Sequence, residues 1–268
     1  MTVLAERAAA SPLLVGVARL WVAAVLLLLA ALSSRTVRVA AEDRWRCIAM
    51  GACMAAYQAA YFTAVTLGGI AVVALVAICS APLMIGALAP WLLGERLGPR
   101  VRGALLLGVL GTALLVASPP GALDLSPRFL GGVLLAFAAG LAYALYVLAA
   151  KATLRRSAPL PATALTFTIG AVLLTPALVW VERPLTQVAL GWPWLAYLGG
   201  VATAGAYAIY TVGLRSVPAS VAGVTSLLEP LTATILGVAF FGERLGTTGV
   251  VGALLLVTGL GLLLTGRD

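Results

Sequence analysis

One acid stands alone in the middle of a long apolar run. Glu229 is the eleventh residue of the stretch 219–241, which at 1.5 Å of helical rise per residue places it roughly 15 Å deep, about the centre of a bilayer. An acid there costs on the order of 2.5–3.5 kcal/mol on insertion scales, so it is expected to face a cavity or a partner. Its helical neighbours at three and four residues are Thr225, Ser226 and Thr232, which gives one polar stripe. Two kinds of chemistry suit this pattern: binding of a cationic group, or carriage of a proton. The structural alternative is a protonated, hydrogen-bonded acid beside Pro230.

Arg19 is the second ionisable residue inside an apolar run. It is the eighth residue of the stretch 12–32, roughly 10 Å from one surface. It can snorkel outward, or it can face the same interior as Glu229, as a counter-ion or as an anchor for a carboxylate. Aromatic and amide side chains also lie well inside apolar runs: Tyr57, Gln58, Tyr61, Tyr143, Tyr146, Tyr207 and Tyr210. They can line a cavity for an amphipathic solute, or hydrogen-bond neighbouring helices. Pro82 and Pro230 each remove a backbone hydrogen bond from mid-helix and are candidate hinges.

Composition sets the frame for these residues. Hydrophobic residues make up 62% of the chain and charged residues 10%, far from a soluble domain. Apolar runs near membrane length recur from end to end and do not alternate, so the expected class is an all-α polytopic membrane protein rather than a β-barrel. The net charge of +8 resides in short loops between runs, which argues against nucleic acid as a partner. There is no histidine, and Cys47, Cys53 and Cys79 all lie in apolar runs, so no metal site, cofactor or disulfide framework is expected. No phosphate loop and no nucleophile with a base is present, and no enzyme activity is expected. Sixteen of the seventeen basic residues are arginine, which with abundant alanine and glycine hints at a bacterial source.

Nine spans are expected, at 12–32, 47–65, 70–93, 101–117, 129–154, 160–181, 192–214, 219–241 and 250–264, with 182–191 a polar loop. The proline-rich segment 118–128 reads as a linker between an N-terminal repeat, 1–117, and a C-terminal repeat, 129–268. The repeats are visible in register. A shift of 148 residues lays Pro230 on Pro82 and Gly242-Glu243-Arg244-Leu245-Gly246 on Gly94-Glu95-Arg96-Leu97-Gly98. The twin lacks the acid, because Ala81 stands where Glu229 stands. A shift of 147 pairs Ala24-Val25-Leu26-Leu27 with Ala171-Val172-Leu173-Leu174, so the first span matches the sixth. The fifth has no match, and the expected unit is five helices with the first absent from the N-terminal copy.

Loop charges orient the chain. Arg35, Arg38, Arg44, Arg46, Arg96, Arg100, Arg102, Lys151, Arg155, Arg156, Arg215 and Arg267 fall on one side, against Arg7, Arg128, Arg183 and Arg244 on the other. Twelve against four puts the first set, and the C-terminus, in the cytoplasm. A five-span unit then inserts in opposite senses in its two copies. Inverted repeats of this kind are common in secondary transporters, with the solute bound near the midplane. Glu95 and Glu243 fall on opposite sides of the membrane and cannot share a site; capping and loop packing account for them better.

The duplicated proline followed by Gly-Glu-Arg-Leu, on inverted halves, resembles the drug/metabolite transporter superfamily and its EamA-type members. Pro82 with Gly94-Glu95-Arg96-Leu97 and Pro230 with Gly242-Glu243-Arg244-Leu245 carry the resemblance. Arg19 also looks like an arginine the family often has in its second span. The resemblance implies ten helices around a central cavity and alternating-access export of amino acids, metabolites or drugs across the bacterial inner membrane. The alternative is a truncated or non-transporting membrane component.

Overall fold

A computed structural model describes residues 11–33, 39–116, 126–241 and 246–264. Most of the expected linker 118–128, Arg35 and Arg38, the second glutamate-arginine loop with Glu243 and Arg244, and Arg267 lie outside the described residues. The helices are α1 (Pro12–Ser33), α2 (Arg44–Gly68), α3 (Ile70–Leu93), α4 (Pro99–Val116), α5 (Pro127–Thr153), α6 (Pro159–Leu174), α7 (Pro184–Gly199), α8 (Ala206–Ser216), α9 (Ala219–Thr225), α10 (Leu228–Phe241) and α11 (Thr247–Leu264). There is no strand among the described residues.

Five of these helices (α1, α4, α5, α6 and α7) open on a proline. That residue lacks the N–H that the first helical turn leaves unpaired anyway. At α5 the preceding Ser126 completes the start, its hydroxyl accepting from the Phe129 N–H at 3.3 Å. At the other end of α3, Gly94 takes a left-handed conformation with φ of 70°. The Glu95 N–H then closes the helix on the Ala89 carbonyl.

Seven stretches among the described residues are long and apolar enough to cross a membrane; Thr247–Leu263 is a shorter apolar helix. α4 and α11, each 18 residues, are shorter than the roughly 20 of a typical span and pack along each other. Three expected stretches differ in form. The sixth ends in a 3-10 turn, Thr175–Trp180. The expected loop 182–191 is mostly helix, because Pro184 starts α7. The last difference is the break of 219–241 at Ser226–Leu227. Pro230 has no N–H to offer the Ser226 carbonyl, and the Glu229 N–H takes that carbonyl instead at 3.1 Å, one residue short of helical register. Pro82 and Pro90 lie inside α3 without ending it.

The main core joins α1, α2, α5 and α6 through Leu20, Met50, Met54, Tyr146, Leu148 and Phe167. A smaller one joins α4, α9, α10 and α11 through Ala104, Val224, Leu227, Leu231 and Leu256. Close approach is set by glycine. A Cβ on Gly132 of α5 would stand 2.8 Å from the Gly68 nitrogen, whereas its neighbour Gly131 faces open space.

Candidate functional site

A cavity of about 510 Å³ lies between these helices, within the roughly 300–1,000 Å³ typical of small-molecule sites. α1 supplies Arg19, α2 supplies Tyr57 and Tyr61, and α3 supplies Ala77, Ile78, Ala81, Pro82 and Ile85. The remaining wall comes from Gly140 and Tyr143 of α5, Ala202 of the turn before α8, Ala206, Tyr207 and Tyr210 of α8, and Gly223, Thr225, Ser226 and Glu229 around the break.

Each polar group is held by a local irregularity. Between α7 and α8 the chain widens into a π turn, Gly200–Gly205, a form found mostly at functional sites. The turn presents Thr203, whose hydroxyl donates to the Leu198 carbonyl at 2.7 Å and accepts from Arg19 Nε at 3.1 Å. Arg19 is therefore tied to the far helix rather than snorkelling. Glu229 lies in the first turn of α10 and is exposed to the cavity it lines. An acid is favoured at that end of a helix, where backbone N–H groups lack partners. Arg19 and Glu229 share the cavity, yet among the described residues they form no salt bridge with each other.

A chain of tyrosine rings runs beside the two charges. The ring centroids run Tyr61–Tyr57 at 5.8 Å, Tyr57–Tyr143 at 5.6 Å, Tyr143–Tyr146 at 6.1 Å, Tyr146–Tyr207 at 5.9 Å and Tyr207–Tyr210 at 6.1 Å. Phe167 backs Tyr207 at 4.8 Å. The hydroxyls of Tyr146 and Tyr210 are buried without a hydrogen-bond partner among the described residues, and Tyr210 is in the cavity wall. A buried unpaired hydroxyl is uncommon and calls for a polar occupant or water.

Glu229, Arg19, Thr225, Ser226, Tyr57, Tyr61, Tyr207, Tyr210 and Pro82 thus share one cavity. Four residues from the sequence set do not line it, one of them Tyr146, which is fully buried between Tyr143 and Tyr207. Gln58 is buried on the α2 side that faces Gly16 of α1. Thr232 is exposed and donates to the Leu228 carbonyl of its own helix. Pro230 is buried behind the break it causes. Thr203 is the residue the polarity pattern does not single out; a lone threonine inside the glycine-rich run Gly199–Gly205 was its only trace.

An all-helical, multi-pass membrane protein with a polar cavity walled by several spans is the architecture of a solute carrier. The model of the EamA-like transporter family matches residues 130–265. The uncharacterized transporter YwfM of Bacillus subtilis is 39% identical over 256 residues, which is 94% of this chain and 83% of that one. The aromatic amino acid exporter YddG of Ancylobacter novellus is 30% identical over 206 residues, 74% of this chain and 69% of that one. A crystal structure at 22% identity superposes with a TM-score of 0.84 over 98% of this chain and 90% of the other, which shows a shared fold. The chain belongs to the EamA-like transporter family and is a small-solute transporter.

Proposed function

We propose that this chain exports a small organic solute, an amino acid, metabolite or drug, from the cytoplasm across a bacterial inner membrane by alternating access. The solute binds between Arg19 and Glu229. The observation that carries this reading is the pair of opposite charges on one cavity, not joined to each other and sharing the wall with tyrosine rings. A zwitterion suits that pair, with its carboxylate on Arg19, its ammonium on Glu229 and its apolar body on the rings. The exporter YddG among the relatives is named for such a solute class. The cycle is a rocking of the four-span half 1–117 against the five-span half 129–268, inserted in opposite senses with the C-terminus in the cytoplasm.

Flux of amino acids, amines and drugs in inside-out vesicles, with and without a pH gradient, tests the proposal. Zwitterions with an apolar side chain should accumulate, and simple amines or acids of the same size should compete weakly. A preference for solutes lacking either charge would overturn the assignment of the two residues.

A further inference from the structure

The first Gly-Glu-Arg-Leu segment does something the transport reading leaves unused. Glu95 follows the left-handed Gly94 at the end of α3, and its carboxylate reaches across 124 residues to the start of α9. One oxygen accepts from the Ala219 N–H at 2.7 Å. The other accepts from the Ser220 N–H at 3.1 Å and the Ser220 hydroxyl at 2.9 Å. These are N–H groups that a helix start leaves without partners, here capped by an acid from the other half of the chain.

The place of this cap relative to the cavity is informative. α3 runs towards Glu95, and α9 runs away from it. From the cap inward, the facing positions are therefore Ser220, then Gly223 against Ile85, then Ser226 and Glu229 opposite the region of Pro82 and Ile78. A Cβ on Gly223 would stand 3.2 Å from Ile85 Cδ1, so the two helices touch just inside the cap. Beyond the break α10 packs on α4 instead. Two further ties bind the same end. Lys151 Nζ donates to the Leu214 and Arg215 carbonyls at 2.9 and 3.1 Å, and an Arg155 guanidinium nitrogen donates to the Leu93 carbonyl at 3.3 Å.

We propose that Glu95 is the latch of one gate: by capping α9 it holds α3 against the broken span that carries Glu229, closing the cavity on the Glu95 face, and it lets go when the cavity opens to that face. The proposal rests on the cavity being the transport site. Such a contact suits a gate, because both the carboxylate and the freed N–H groups regain water on opening, so the closed state is favoured without being locked.

The test is accessibility, which needs no known solute. Ala206→Cys places one thiol on the cavity wall, in a background with Cys47→Ala, Cys53→Ala and Cys79→Ala. A membrane-impermeant thiol reagent is added on the Glu95 face of oriented vesicles. Glu95→Ala should raise the labelling rate from that face about tenfold, and Ser220→Ala, which leaves both N–H bonds, about twofold. An unchanged rate in inserted Glu95→Ala overturns the latch. Should that variant fail to insert, the pair Glu95→Cys with Ser220→Cys decides, in the same cysteine-free background and with the reporter alanine restored. Oxidation should cross-link it and stop flux, and reductant should restore flux. Failure to cross-link, or full flux through the cross-linked protein, overturns it equally. Loss of the solute reading, by contrast, would show as absent flux in the wild type with the labelling differences intact.

Discussion

Replacing Glu229 by glutamine keeps the side chain's shape and removes its charge, so the change isolates what the carboxylate does. Glu229 sits in the first turn of α10, and losing an acid there weakens the helix by about 0.3–1 kcal/mol; the protein should still insert. The effect on a bound solute is larger. A hydrogen bond from a solute ammonium to a carboxylate contributes about 1.5–3 kcal/mol, which is roughly a 10- to 150-fold change in affinity. Arg19, held in the cavity wall by Thr203, then repels that ammonium without an acid to offset it. In proteoliposomes, Glu229→Gln should raise the half-saturating solute concentration by one to two orders of magnitude. A proton role has a different signature. Solute-for-solute exchange would survive while acceleration by a pH gradient vanished. Wild-type flux with wild-type pH dependence in a normally inserted variant would refute both roles and return Glu229 to a structural part beside Pro230.

Thr203→Val preserves shape but frees Arg19 from the π turn; loss of one hydrogen bond of about 1–1.5 kcal/mol predicts roughly five- to tenfold weaker solute binding at normal expression. Tyr207→Leu removes the ring that Phe167, Tyr146 and Tyr210 surround. It should weaken solutes with an aromatic body more than those with a short aliphatic one, measured as the ratio of their inhibition constants. Gly111→Val puts a Cβ 2.7 Å from both the Gly252 carbonyl oxygen and the Leu256 nitrogen. Backbone on both sides leaves no easy relief, so the thermal midpoint in detergent should fall by the equivalent of about 1–3 kcal/mol. Asp43→Ala leaves the buried Ser157 hydroxyl and Arg46 without their 2.7 Å acceptor oxygens. It should lower the same midpoint by about 1–3 kcal/mol, a half-buried Arg46 that still reaches water limiting the loss.

The helical spans were legible because apolar runs of bilayer length have few other solutions, and α3 begins and ends where its run does. Glu229 and Arg19 were legible because a lone charge in such a run demands a reason. What the pattern did not carry was direction. Thr232 lies one turn beyond Glu229 on the same helix, yet it donates to the Leu228 carbonyl and ends outside the cavity wall. Gln58 and Tyr57 are adjacent in sequence, and one residue of helix is about 100° of rotation. That turn sends Tyr57 to the cavity and Gln58 towards Gly16.

Pro82 and Pro230 show why an identical residue acts differently in two spans. At Pro82 the residue four positions back is Ile78, and the one before the proline is Ala81; neither side chain offers the loosened backbone another bond, and the helix runs through. At Pro230 the same positions are Ser226 and Glu229. The Ser226 hydroxyl takes the Ala222 carbonyl at 3.0 Å, the Leu227 N–H closes on Val224, and the Glu229 N–H closes on Ser226. The turn is thereby satisfied without α-helical register. Irregular backbone survives at membrane depth only where protein or a wet cavity accepts its polar groups. Both irregular stretches lining this cavity, the π turn by Thr203 and the break by Glu229, belong to the second half of the chain. The first half lines it with uninterrupted α1, α2 and α3. The half with the broken helices is therefore the half that carries the acid, and a first-half Ala81→Glu substitution should not reproduce it, because no break there frees an N-terminal turn to receive the charge. Flux measured in Ala81→Glu combined with Glu229→Ala checks this: rescue above a few per cent of wild type would show that the position of the acid, and not the broken helix, is what the cavity requires.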